Sequence, residues 1–396
     1  MSSLIQSTSL IIWDEALMTD RKCLESVDRT LRDLMSVDNH LLAQIPFGGV
    51  VVVLGGDLRQ ILPVIEGGTR QQIVGATITN SPLWQKVTFL ELTENIRLSM
   101  PGACALVQEE IALFSSWVLK LGDGKLPMTA RGGEVTPSWI QIPKDLLIQT
   151  NGNKVEAIVL STYAEFVKNY DDSTYLQERA ILAPTNEIAD LINDFVLSMV
   201  PTRAREFLSS YSIAASPDVV QEADTIYPTE FLNVQSVVNF LEHKLVLKKG
   251  VSIMLLRNLS QSTGMCNGTR LIITELADCV IQAVILTGSH VGHTVYIPRI
   301  ELTAKKTKWP FVLQWRQFPI RLCYAMTINK SQGHTLNYVG LYLKQPVFSH
   351  GQLYVAVSRV KSRRSLKILT ENADGTCGSE TQNIVYPEVF QSVESL

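Results

Sequence analysis

No Cys-x-x-Cys pair occurs in this sequence, whose six cysteines (Cys23, Cys104, Cys266, Cys279, Cys323 and Cys377) are widely scattered. That excludes a zinc ribbon and a disulfide framework and points to a reducing compartment. An excess of one charge is lacking too, because 35 basic against 38 acidic side chains leave a net charge of −3. Without a global positive field, any nucleic acid must be held by a local groove. No apolar run approaches the ~18 residues of a membrane span. The opening Met-Ser-Ser-Leu-Ile-Gln has no basic residue ahead of Asp14 and Glu15, so neither an anchor nor a signal peptide is expected. Internal repeats and low-complexity tracts are absent as well. What is present is 46% hydrophobic and 18% charged residues over 396 positions, the balance of a globular chain of two or three domains.

The apolar run Leu10-Ile11-Ile12-Trp13 reads as a buried strand, and Val50 to Leu54 as a second. Between them Leu24, Val27, Leu31, Leu34 and Met35 recur at helical spacing after Thr19 as N-cap. Two short apolar strands around an amphipathic helix describe a parallel βαβ unit. Ligands of such sheets sit beyond the carboxyl ends of the strands, where Asp14-Glu15 and Gly55-Gly56-Asp57-Leu58-Arg59-Gln60 fall. The strand leading into this chemistry starts at Leu10, which suggests that something is missing upstream.

A second unit starts at Ile181 to Pro184, with Asn186 capping a helix that carries Ile188, Leu191, Ile192, Phe195 and Met199. The sheet pattern returns at Leu322 to Ala325 and continues through Val339 to Leu343 and Leu366 to Leu369, so a segment is inserted. Within it, Lys244 to Leu256, Arg270 to Glu275, Val280 to Leu286 and His293 to Ile300 read as strands, with a hairpin turn at Asn267-Gly268, and suggest a small β-barrel. Residues 122–150, rich in glycine and proline, read as loops or a small subdomain.

Asp14-Glu15 after an apolar strand has the form of a Walker B site, in which one carboxylate holds Mg²⁺ and the next polarises the attacking water. Taken singly, such a pair is equally a solvated strand end or a helix cap. Gln60 could sense a terminal phosphate, or the run could be an exposed glycine turn. Ala325-Met326-Thr327-Ile328-Asn329-Lys330-Ser331-Gln332-Gly333 and Tyr354-Val355-Ala356-Val357-Ser358-Arg359 complete the set. With Trp13 to Ala16 and Gly56 to Val64, they resemble the Pif-type (petite integration frequency) DNA helicases of superfamily one, class B, of the kind seen in plants and transposons. The resemblance runs from Ile11 to Leu369.

The resemblance implies an α/β fold of two RecA-like parallel-sheet domains. The first, incomplete, would occupy residues 1–150, and the second residues 151–242 and 304–396, with a small SH3-like β-barrel inserted at 243–303. It implies ATP and Mg²⁺ as cofactors, with Asp14 on the metal and Glu15 activating water. Gln60 would sense the γ-phosphate, and Arg97 and Arg359 would act as arginine fingers. Asp14, Asp57, Gln332 and Gly333 would form the nucleotide set, while Thr327, Lys330 and Ser331 would contact DNA. The implied activity is ATP-driven 5′-to-3′ movement on single-stranded DNA and unwinding of duplex DNA. It would serve repair, recombination or telomere maintenance in the nucleus, with the mitochondrion as the alternative compartment.

The sequence departs from the pattern at two places. Asn329 stands where many relatives have His. The family's Gly-x-x-x-x-Gly-Lys-Thr phosphate loop does not occur, and Gly122-Asp123-Gly124-Lys125 reads as a turn. The expectation is therefore an N-terminally truncated chain that is inactive alone, and the alternative is an inactive relative that binds single-stranded DNA or a partner. Three further features have two readings each. His290-x-x-His293 is half a metal site or a turn, and Lys361, Arg363, Arg364 and Lys367 are a solvated face or a phosphate-contacting edge. Trp309, Trp315 and Phe318 are core residues or base-stacking platforms.

Overall fold

A computed structural model of the chain describes residues 2–37, 39–96, 105–132, 136–214, 243–304 and 312–394. The chain divides into two units, one of Met1–Gln149, Ser331–Asn337 and Leu341–Leu396, the other of Thr150–Lys330 and Tyr338–Gly340. The strand Tyr338–Leu343 is thus shared out between them.

In the first unit the apolar strands Leu10–Trp13 and Val51–Leu54 pair in parallel, Leu10 opposite Val51 and Trp13 opposite Leu54. The connecting helix is Arg21–Met35, capped by the carboxylate of Asp20, which accepts from Lys22 N–H at 2.8 Å. The cap therefore lies one residue beyond the expected Thr19. Trp13 and Leu54 turn one sheet face onto a core of Ala16, Leu24, Ile78 and Trp84. The other face carries Leu10, Ile12, Val51 and Val53, which are 51%, 73%, 60% and 48% exposed. Parallel sheets are ordinarily covered on both faces, so this bare apolar face is unusual.

The helix Ala105–Gly122 ends in a Schellman turn, with Lys125 N–H on Lys120 O at 2.8 Å, Gly124 N–H on Leu121 O at 3.2 Å and Gly124 at φ 68°. Gly122 to Lys125 is a helix stop and not a phosphate loop. The stretch expected to be loops contains a strand, Trp139–Gln141, paired antiparallel with Glu380–Gln382.

In the second unit Arg179–Ala183 and Ala325–Thr327 form a parallel pair, and the helix Asn186–Met199 buries Ile188, Ile192 and Val196. Thr185 is its N-cap, with Asn186 the first helical residue. Buried Asn193 accepts from Tyr324 N–H at 3.0 Å and Ala325 N–H at 2.8 Å, tying the helix to the start of the second strand. The run expected as one strand from Leu322 to Ala325 is a junction between two. Ile320–Leu322 pairs antiparallel with Ser252–Leu255, whereas Ala325–Thr327 belongs to the parallel pair.

Antiparallel strands fill the inserted region, as expected: Ser252–Leu255, Arg270–Leu276, Val280–Ile285 and Thr294–Pro298. Their sheet takes its fifth strand from Ile320–Leu322, outside the expected insertion, and has that strand and Thr294–Pro298 at its edges. Lys244–Leu247 instead pairs with Arg205–Leu208. Gly268, at φ 91°, supplies the left-handed residue of the Asn267-Gly268 turn. Arg270 is fully buried and donates to the carbonyls of Leu176, Arg179 and Gln177 at 2.9, 3.0 and 3.3 Å, clamping this sheet to the chain entering Arg179–Ala183.

Candidate functional site

Asp14 and Glu15 leave the strand Leu10–Trp13 at its carboxyl end, as expected. Asp14 uses one carboxylate oxygen to accept from Glu15 N–H at 2.9 Å. Glu15 sits in the left-handed region at φ 52°, ψ 35°, uncommon for a residue with a Cβ and a mark of strain at functional turns. Its carboxylate accepts from the Gln332 amide at 3.1 Å. Two motif residues 317 positions apart thus meet within one unit. Gly55 leaves room for Asp14, since a Cβ there would lie 3.2 Å from Asp14 Oδ1.

The loop after Val51–Leu54 is fixed from below. Asp57 accepts from Arg59 N–H at 3.0 Å and from Tyr354 O–H at 2.6 Å, so both its oxygens are engaged within the protein. Burial, then the neighbouring Asp57 carboxylate, raise the Tyr354 phenol pKa and keep it a donor. Arg59 pairs with Asp123 at 2.6 Å. Burial works against the Arg59 charge, but Asp123 and Asp57 outweigh it and hold its pKa above the usual arginine value. Gly351, at φ 72°, lets the backbone before the helix Gln352–Ser358 touch the loop, because a Cβ would fall 2.4 Å from Arg59 O. At the tip, the Gln60 amide oxygen is buried with no hydrogen-bond partner, and so is that of Gln332. Such orphans are costly, and in a native site they mark positions where a ligand or water completes the bonding.

His350 is a residue that sequence reasoning misses. Its Nδ1 accepts from Tyr386 N–H at 2.8 Å, so Nε2 carries the proton and donates to Leu58 O at 2.8 Å. Burial lowers its pKa below the usual histidine value. Because the folded pKa lies below the unfolded one, the stabilisation is complete above pH ~6.5 and is lost as pH falls toward the folded pKa. Thermal unfolding should therefore show the parent losing stability as pH drops from 7 to 5, by at most about 1.4 kcal/mol for each pH step of one, a slope that His350→Gln lacks. Equal slopes in both proteins would refute the assignment.

Arg359 is buried, donating to Val355 O at 2.9 Å, Ser358 Oγ at 2.9 Å and His334 O at 3.2 Å. Its guanidinium thus braces the loop that carries Gln332 and Gly333. Ser331 is fully buried in the same unit, whereas Thr327 and Lys330 lie in the other. Lys330 donates to Asn267 Oδ1 at 3.3 Å. Arg97 and Trp309 lie outside the described residues.

The remaining candidates resolve toward structure. Trp315 and Phe318 are 1% and 0% exposed, which places them in the core and not on a stacking platform. Arg363 forks onto Asp145 at 2.7 and 2.8 Å, Arg364 pairs with Glu110 at 2.7 Å, and Lys367 donates to Asp145 O. Three of the four cations of that cluster, Arg363, Arg364 and Lys367, are thus engaged within the protein. His290 and His293 stack edge to face at 5.5 Å, and among the described residues no three metal-ligating side chains converge. Mg²⁺ needs less, since one or two carboxylates with water and phosphate oxygens suffice. Asp14, with an oxygen to spare, fits that role, and the orphan amides of Gln60 and Gln332 suit a polar, hydrated ligand such as a phosphate chain.

Parallel strands ending in acidic and amide residues, beside helix-braced loops, define a mixed α/β chain of the RecA-like class. The family model for PIF1-like helicase matches residues 1–132, and that for the DNA helicase Pif1 2B domain matches residues 230–276. Over those two stretches, which together make up less than half of its length, the chain is similar to the Pif1-like helicases. It is 24% identical over 368 residues to the ATP-dependent DNA helicase PIF1 of Xenopus laevis, covering 91% of this chain and 46% of that protein. The Homo sapiens protein of the same name is 24% identical over 374 residues, with the same shares. Pif1 of Bdellovibrio bacteriovorus is 34% identical over 132 residues, 33% of this chain and 29% of that one. The chain thus spans under half the length of these curated relatives. In fold it is similar to Bacteroides Pif1 in complex with ADP-AlF3 and ssDNA, with TM-score 0.62, 20% identity, and 100% and 76% of the two chains covered. Candida albicans Pif1 gives TM-score 0.59 at 19% identity, covering 100% and 78%.

Proposed function

We propose that the chain is the working part of an ATP-dependent DNA helicase of the Pif type, moving 5′ to 3′ on single-stranded DNA and unwinding duplex DNA. The observation that carries this reading is the contact of Glu15 with Gln332, which joins a Walker B carboxylate to a motif from the far end of the sequence. In the proposed reaction Asp14 would hold Mg²⁺, and the ion would supply neutralisation of phosphate charge. Glu15 takes the proton of the attacking water. Gln60 orients that water through its free amide oxygen, while the Tyr354–Asp57 and His350–Leu58 bonds keep the Gln60 loop in place. Arg359 contributes positive charge once released from His334 O. Asp57, with both oxygens engaged, acts as a positioning residue and not as a ligand. Thr327, Lys330 and Ser331 serve the DNA strand, and Gly333 the nucleotide. Repair, recombination or telomere maintenance in the nucleus, or in the mitochondrion, is the setting proposed from the resemblance.

A second reading rests on the sequence itself: these 396 residues contain no Gly-x-x-x-x-Gly-Lys-Thr run. Losing even one oxyanion donor costs about 3–4 kcal/mol of barrier, and that loop supplies several. The 396-residue polypeptide alone is expected to bind DNA while hydrolysing ATP far more slowly than ~1 s⁻¹, the low end of ordinary enzymes. DNA-stimulated phosphate release measured on the purified chain tests this. Turnover at or above that rate would refute the need for the loop, and absence of both hydrolysis and DNA binding in a folded chain would refute the helicase reading.

A further inference from the structure

Three cations converge in the second unit, and only one of them, Arg321, has a carboxylate partner among the described residues. Arg257 follows the strand Ser252–Leu255, Arg321 lies on its partner strand Ile320–Leu322 opposite Met254, and Lys330 closes the turn after Ala325–Thr327. Arg321 engages Asp190 at 2.6 Å and Asn186 at 2.8 Å. Arg257 has no ion pair or hydrogen bond to any described residue, and Lys330 leans only on the neutral amide oxygen of Asn267 at 3.3 Å. Although Lys330 is exposed as a residue, partial desolvation of its ammonium and then repulsion from Arg257 and Arg321 lower its pKa. The cluster of surface arginines at 363 and 364 was given carboxylates. Here only Arg321 has one, and like charges gathered with two of three left unneutralised favour an arriving anion.

We propose that Arg257, Arg321 and Lys330, with Asn267 as a polar guide, form a seat for a backbone phosphate of single-stranded DNA. The proposal rests on the DNA-binding reading above and extends it to two arginines that no sequence motif singles out. Each cation comes from a different backbone segment, and Arg321 is held by Asp190 and Asn186, so the seat is built before DNA binds. An anion there would also restore the Lys330 ammonium toward its ordinary pKa.

The test is fluorescence anisotropy of a labelled oligo-dT on the 396-residue chain over a salt series. Parent protein is compared with Arg257→Gln/Lys330→Gln and with Lys168→Gln/Lys249→Gln, which removes the same charge from exposed lysines paired to Glu165 and Glu275. Neither replaced pair belongs to the core, so melting temperatures should match the parent. The seat predicts a several-fold weaker complex at low salt for the first variant and a log–log salt slope shallower by about 0.7, one phosphate's share. The second variant should keep the parental slope. Parental slope in the first variant, or an equal loss in both, overturns the seat while leaving DNA binding intact. No binding by the folded parent at low salt overturns the DNA-binding reading and the seat with it.

Discussion

Glu15→Gln, in a polypeptide that joins these residues to a Gly-x-x-x-x-Gly-Lys-Thr segment, is expected to cut ATP turnover by about 10²–10⁴-fold while nucleotide binding survives. The amide has the shape of the carboxylate and can still accept from Gln332 Nε2, so the contact at 3.1 Å is kept. What it cannot do is take a proton from water. Steady-state phosphate release and equilibrium binding of a fluorescent ATP analogue, measured on the same preparation, separate the two effects. Parental turnover in the variant would remove Glu15 from the proposed chemistry, and lost binding would make it a structural residue of the strained turn.

Arg270→Met carries the largest expected effect on stability. The thioether chain fills much of the arginine stem's volume, but the carbonyls of Leu176, Arg179 and Gln177 lose a charged donor in a buried place. Bonds to charged groups are worth about 1.5–3 kcal/mol each, and unmet buried acceptors cost on the order of 1–3 kcal/mol. Partial relaxation and water entry bring the expected loss to about 3 kcal/mol in the second unit. Hydrogen exchange of amides in Arg270–Leu276, read in the full chain, localises the effect where a global melt would average two units. A change below about 1 kcal/mol would mean the carbonyls find other donors, and the clamp would lose its importance.

Local signals carry much of this fold. The apolar runs at Leu10–Trp13 and Val51–Leu54, and the helical spacing of Leu24, Leu31 and Leu34, announce the βαβ unit because each depends on neighbours a few residues away. Short runs rich in β-branched apolar residues likewise mark Arg270–Leu276 and Val280–Ile285. The strand Ile320–Leu322 escapes such a reading because three residues are too few for a pattern to show, and its partner is the distant Ser252–Leu255. The braces of the site are illegible for another reason. Tyr354 and Asp57 are 297 positions apart, and His350 and Leu58 292, so only the folded chain shows that a phenol and an imidazole hold the Gln60 loop. Tyr354 does open the Tyr-Val-Ala-Val-Ser-Arg run, which is a signal that a residue there matters. His350 has none.

The bare sheet face of Leu10, Ile12, Val51 and Val53 has a consequence for behaviour in solution. Salts excluded from protein surfaces strengthen apolar association, whereas any added salt weakens phosphate contacts. If the chain holds DNA as proposed, sulfate would therefore push it in two directions at once, loosening it from the strand and drawing copies together through that face. A chloride series acts mainly on the first process. Light scattering recorded at each step of both series distinguishes a protein that has let go of its strand from one that has gathered into clusters.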